Sequence, residues 1–90
     1  MCTITWEERQ HRLRLSGTCD EGDREAVEEA LEAVGDPGSV LIVDLTAVAS
    51  LAQPVAESIV TACDRTGGCR VSILRRHGSD VDRVLRSLGV

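Results

Sequence analysis

The sequence contains no Phe, Tyr, Lys or Asn, and Trp6 is its one Phe/Trp/Tyr-type aromatic residue. Each absence closes a route. Without Lys there is no Schiff-base or amine nucleophile. With a single Trp there is almost no aromatic surface on which nucleic-acid bases could stack. The four missing residue types share AT-rich codons, so a GC-rich genome explains the gap first and chemistry second. Positive charge is also short: ten Arg face fifteen Asp and Glu, for a net charge of −5. A general binder of phosphate backbones needs the opposite sign. Nothing approaches the apolar run of about 18–20 residues that spans a membrane. The first residues, Met1 to Glu8, carry neither the basic region nor the apolar stretch of a signal peptide. The expected location is therefore the cytoplasm, with no membrane insertion and no nucleic-acid partner.

What remains is an aliphatic domain. Val, Leu and Ile supply 24 of the 90 residues, and a chain of this size makes one domain with one modest core. Hydrophobic residues at 42% and charged residues at 28% fit a folded domain rather than a disordered one. The four cysteines, Cys2, Cys19, Cys63 and Cys69, match no zinc spacing, and His11 and His77 do not complete one. No metal and no cofactor are expected. In a reducing compartment the cysteines read as small, largely buried thiols. A redox pair of Cys63 and Cys69, across a Gly-Gly turn, is the sharper alternative.

Periodicity orders the elements. Cys2, Ile4 and Trp6 alternate with Thr3 and Thr5, and Leu13 and Leu15 alternate with Arg12, Arg14 and Ser16. Period two means two strands with one buried face, and the polar stretch between them makes a hairpin. Ala26, Val27, Ala30, Leu31 and Val34 then fall at helical spacing. Asp20 or Asp23 can cap that helix, and Gly35 with Pro37 stops it. Its opposite face holds Glu21, Glu25, Glu28, Glu29 and Glu32, a solvated face or an acidic docking surface for an Arg-rich partner.

Val40–Leu45 is a short, largely apolar run rich in β-branched residues, the mark of a central strand. A loop follows, then a second helix from Pro54 to Arg65, with Pro54 suited to the first turn. Gly67-Gly68 ends that helix. Val71, Ile73 and Leu74 form a fourth strand. Ser79 opens a third helix through Val81, Val84, Leu85 and Leu88. The predicted fold is α/β, ββαβαβα over residues 1–90, a four-stranded mixed sheet packed with about three helices. Right-handed crossovers make the later strands parallel.

No catalytic constellation stands out. The chain holds no Gly-rich phosphate loop and no recognisable Ser-His-Asp set. His77 sits in the basic turn Arg75-Arg76-His77, which reads as solvated or as a small-anion contact beside a helix start. The residues describe a non-enzymatic binding domain.

Three segments together resemble a family. Leu13-Arg14-Leu15-Ser16-Gly17-Thr18-Cys19-Asp20 looks like the opening strand and turn of a STAS domain, the fold of the bacterial anti-sigma-factor antagonists. Val43-Asp44-Leu45-Thr46-Ala47-Val48 resembles the family's central strand. Asp82 to Val90 is similar to its closing helix. The resemblance implies partner switching: the unphosphorylated antagonist binds a kinase-type anti-sigma factor, and phosphorylation of a Ser at the start of the second helix breaks the complex. A phosphate there adds about two negative charges to an interface.

Aligned from Asp44, the family's Asp-Ser-Ser-Gly segment falls on Ala52-Gln53-Pro54-Val55. Pro54 occupies the phosphoacceptor position and has no hydroxyl. Asp20 matches the family's acidic residue in the first loop, and Ser50 and Ser58 are neighbouring hydroxyls. The resemblance thus implies a partner surface of Asp20, Ser50, Leu51, Ala52, Gln53, Pro54, Val55 and Glu57. The expected partner is a kinase-type anti-sigma factor, with the usual switch absent. The alternative partner is another protein subunit, such as that of a lipid-transport ATPase, which the chain would serve as scaffold or accessory. The expected state is a monomer or weak homodimer.

Overall fold

The computed structural model describes residues 2–35, 40–65 and 70–90. Strand β1 (Cys2–Glu7) turns into β2 (Arg12–Cys19). A 3-10 turn (Glu21–Asp23) leads into helix α1 (Arg24–Val34). Then come β3 (Val40–Leu51), α2 (Gln53–Arg65), β4 (Arg70–Leu74) and α3 (Asp80–Ser87). The four strands form one sheet in the order β1-β2-β3-β4. β1 runs antiparallel to β2, while β3 lies parallel to β2 and β4 parallel to β3. This is the expected α/β mixed sheet with three α-helices among the described residues.

Alternation along the strands decides which face is covered. Leu13 and Leu15 of β2, and Leu41 and Val43 of β3, turn inward and join Val27, Leu31, Val55, Ile59, Val81 and Leu85 of the helices in one core. Thr3, Thr5, Arg14, Ser72 and Leu74 point out from the other face of the sheet and are exposed. No helix among the described residues is long and apolar enough to cross a membrane.

One expectation needs correction. Residues 46–51, read from sequence as a loop, continue β3 to Leu51. Two irregularities make this possible. Between Arg14 and Ser16, and again between Gly17 and Thr18, β3 carries one residue more than β2. Each extra residue is a bulge that resets the pleat. Inward residues therefore recur at Leu45, Val48 and Leu51, a spacing of three that conceals a strand.

The ends of the elements follow their side chains. α1 stops at Gly35, whose N–H donates to Leu31 O at 3.1 Å; Pro37 lies outside the described residues, as do Gly67 and Gly68. In the β1–β2 hairpin Arg12 grips Glu7 with two hydrogen bonds, 2.8 and 3.1 Å long. That grip, more than the burial opposing it, holds the Glu7 carboxyl below its ordinary range.

Candidate partner-binding surface

In a parallel sheet the loops leaving the carboxyl ends of neighbouring strands meet at one edge, and ligands gather there. Here those loops are Asp20–Asp23 after β2 and Ala52 after β3. They are tied directly: the Ala52 N–H donates to Cys19 O at 2.8 Å. Asp20 therefore sits beside the start of α2, as the resemblance implied. Its N–H donates to Asp23 Oδ2 at 2.9 Å, and Asp23 N–H returns a 2.9 Å bond to Asp20 O. The acidic loop is fixed by its own backbone and the Asp23 carboxylate, and Asp20 is exposed.

The eight residues singled out from sequence divide by burial. Asp20, Ser50, Gln53 and Glu57 are exposed, and Ala52 and Pro54 are half-buried. Leu51 and Val55 are 3% and 0% exposed and belong to the core. Their side chains anchor the surface from beneath rather than forming it. Gln53 reaches along the first turn of α2 and donates to Glu57 Oε1 at 3.2 Å.

Helix α2 begins one residue earlier than expected, at Gln53. Ala52 precedes it and has no side-chain oxygen. Its carbonyl accepts from both Val55 and Ala56, each at 3.1 Å. Pro54 removes a further N–H that the first turn would otherwise leave unpaired.

Ser58, one turn on, is buried and donates to Pro54 O at 3.1 Å, the back-bond usual for Ser in a helix. The same hydroxyl lies 2.8 Å from Glu28 Oε1 on α1, a contact between helices that spacing alone does not reveal. Ser50 is the exposed hydroxyl of the pair, yet it belongs to β3 rather than to the acceptor position.

The third helix supports the same edge. Asp80 at its start accepts from the Leu51 N–H at 3.3 Å and also bonds Arg83. Arg83 and the Leu51 N–H, outweighing a small opposing effect of burial, hold the Asp80 carboxyl below its usual range. Sequence reasoning missed Asp80, because its partner lies 29 positions away.

The basic turn Arg75-Arg76-His77 also resolves. Its anion is the protein's own Asp82. Arg75 Nε lies 3.0 Å and Arg86 Nε 3.4 Å from that carboxylate, with His77 Nδ1 at 3.8 Å. The Gly78 N–H donates to it at 2.9 Å. This backbone bond, working against burial and helped by the arginines, lowers the Asp82 pKa.

Asp44, in the central strand, is 5% exposed. Burial pushes its carboxyl up. Two hydrogen bonds from Thr46, at 2.9 and 2.6 Å, together with Arg12 and Arg14, outweigh burial and hold it below its ordinary value. It braces the first bulge of β3 and does not face the partner edge.

The expected redox pair of Cys63 and Cys69 falls on side chains outside the described residues. Cys2 and Cys19 are free thiols on the neighbouring strands β1 and β2, the first half-buried and the second buried. Burial pushes both pKa values up, that of Cys19 far more strongly, so both are held as neutral thiols.

With the site in view, the architecture can be set beside known structures. The chain is similar to the crystal structure of an anti-sigma factor antagonist from Mycobacterium paratuberculosis. The TM-score is 0.85 at 22% identity, covering 99% of this chain and 79% of that one. It is also similar to part of the crystal structure of Mglu, with a TM-score of 0.64 at 20% identity over 86% of this chain and 20% of that chain. No protein-family model and no curated protein sequence matches the chain. The protein thus has the fold of a STAS-type anti-sigma factor antagonist.

Proposed function

We propose that the protein is a non-enzymatic protein-binding module of the antagonist type. Its partner is an anti-sigma factor of the kinase type, which it engages through the edge formed by Asp20, Ser50, Ala52, Gln53, Pro54 and Glu57. Binding is not switched by phosphorylation at the start of α2, because Pro54 stands there. The observation that carries the reading is the likeness to an anti-sigma factor antagonist over 99% of the chain.

The local chemistry supports it. The edge is held by backbone bonds and by Leu51 and Val55 beneath, so little ordering remains to be done on binding. A phosphate at this edge would stand beside Asp20 and Glu57 and would have to be desolvated against them. Without the acceptor, occupancy of this surface is controlled through abundance or by another partner.

The test is direct. The purified protein is mixed with a kinase-type anti-sigma factor from the same cell, with and without ATP. A stable complex whose antagonist subunit keeps its unmodified mass after ATP is the expected result. Phosphate at Ser50 or Ser58 would overturn the unswitched reading. Capture of a transport-ATPase subunit, with no binding to the anti-sigma factor, would replace the partner.

A further inference from the structure

α1 and α2 lie side by side and leave a groove of about 580 Å³ between them. Its floor is apolar: Leu31 is buried, and Pro54 and Ala62 are half-buried. Glu32 and Glu57 stand exposed along its two sides. The Ser58 hydroxyl of α2 lies 2.8 Å from Glu28 Oε1 of α1, a polar contact between the two helices beside the groove. The groove continues into the partner edge through Pro54 and Glu57.

Charge selects what can lie in it. The one basic residue of α1 is Arg24, which lines one end of the groove and pairs there with Glu28 at 3.1 Å. Glu32 sits in the last turn of α1, where a negative charge opposes the helix dipole. It is four positions from Glu28 and three from Glu29, both like-charged neighbours. Among the described residues Glu32 has no ion pair. Glu32 is thus an exposed carboxylate of the groove that none of the described residues pairs, and a cation of the partner complements it.

We propose that the α1–α2 groove seats a basic amphipathic helix of the protein partner. Small apolar side chains of that helix rest on Leu31, Pro54 and Ala62, and its arginines reach Glu32 and Glu57. This rests on the protein-binding function proposed above and adds the chemistry of the partner's docking element.

Two measurements test it. In the first, association of the full chain with the anti-sigma factor is timed for E32R and for the double substitution T3R/S72R. Both add the same charge, the second on the far face of the sheet. E32R slows association about tenfold and flattens its salt dependence, while T3R/S72R stays within about twofold of the parent. The milder E32Q shifts the rate in the same direction by less. Equal slowing by E32R and T3R/S72R would show that only net charge matters and would overturn the proposal.

In the second measurement the probe is an Arg/Leu/Ala peptide forming a helix of about four turns. Amide shifts should centre on Leu31, Glu32, Glu57 and Ala62. Shifts centred on the outer residues Glu21, Glu25 and Glu29 would overturn the groove. The outcomes also separate the two readings. Anti-sigma factor bound at an unchanged rate by E32R removes the groove and keeps the function. A peptide seated in the groove, with no anti-sigma factor bound, does the reverse.

Discussion

Helices α2 and α3 both start at the sheet edge, yet their first turns are built in opposite ways. At α3, Ser79 accepts from the Asp82 N–H at 3.2 Å, and Asp80 and Asp82 place two carboxylates in the first turn. At α2 the residue before the helix is Ala52, and the first turn contains no acid. Both starts are pinned alike from below, by Val55 at 0% and Val81 at 1% exposure. The difference is confined to the polar outer side. One helix start satisfies itself with its own side chains. The other is satisfied by backbone and proline, and its outer side carries no capping side chain. Equal anchoring with unequal capping separates what holds the fold from what the proposed interface uses.

The anchoring half of that contrast carries the largest expected effect. Val55→Ala and Val81→Ala should each lower unfolding free energy by about 2–3 kcal/mol, from lost burial and the cavity left behind. Denaturant titration checks this. A much smaller loss at Val55 would mean that α2 is not pinned as firmly as α3.

Capping comes next. Ser79→Ala should cost about 1 kcal/mol, and Ala52→Ser should gain about 0.5–1 kcal/mol by supplying the missing oxygen. Opposite signs in the same melting series sharpen the contrast, and a loss at Ala52→Ser would break it. Pro54→Ser should cost about 0.4–1 kcal/mol, because the unfolded chain regains freedom. With the anti-sigma factor and ATP it should gain one phosphate by mass spectrometry. A folded variant that stays unmodified would show that kinase recognition, and not only the hydroxyl, is gone.

Acid gives the smallest effect near neutrality and the most local one. Asp80 and Asp82 have folded-state pKa values below their ordinary ones. The unfolded chain therefore binds protons first, and stability falls as pH drops through the ordinary carboxylate range towards the folded values. Between pH 8 and about 5 no change is expected. Below about pH 4, amide exchange in the first turn of α3 should accelerate before that of α2.

The element order was legible in the sequence because each element keeps its own period. Leu13 and Leu15 mark a strand, Val27 and Leu31 a helix, and Ser79 a cap, and each does so within a few residues. What escaped depends on pairing between distant segments. The second half of β3 hid behind its bulges, since Leu45, Val48 and Leu51 follow neither period two nor a helix. Cys2 and Cys19 are 17 positions apart and come to neighbouring strands only through the antiparallel register of β1 and β2. At the partner edge, sequence placed Asp20 beside the start of α2 but could not tell that Leu51 and Val55 face inward. A loop and a first helical turn have no alternation from which to read that.

The extension of β3 carries the strand beyond the end of β4. β4 pairs only with Val40–Asp44, so the last seven residues of β3 have a neighbour in β2 and none in β4. Such a rim of unused main-chain donors is where a foreign strand would add itself. The start of α3 stands against it, and the Asp80 carboxylate occupies the Leu51 N–H. Asp80 thereby closes with its own carboxylate a main-chain donor that β4 does not reach, and α3 edges the sheet where the fourth strand stops.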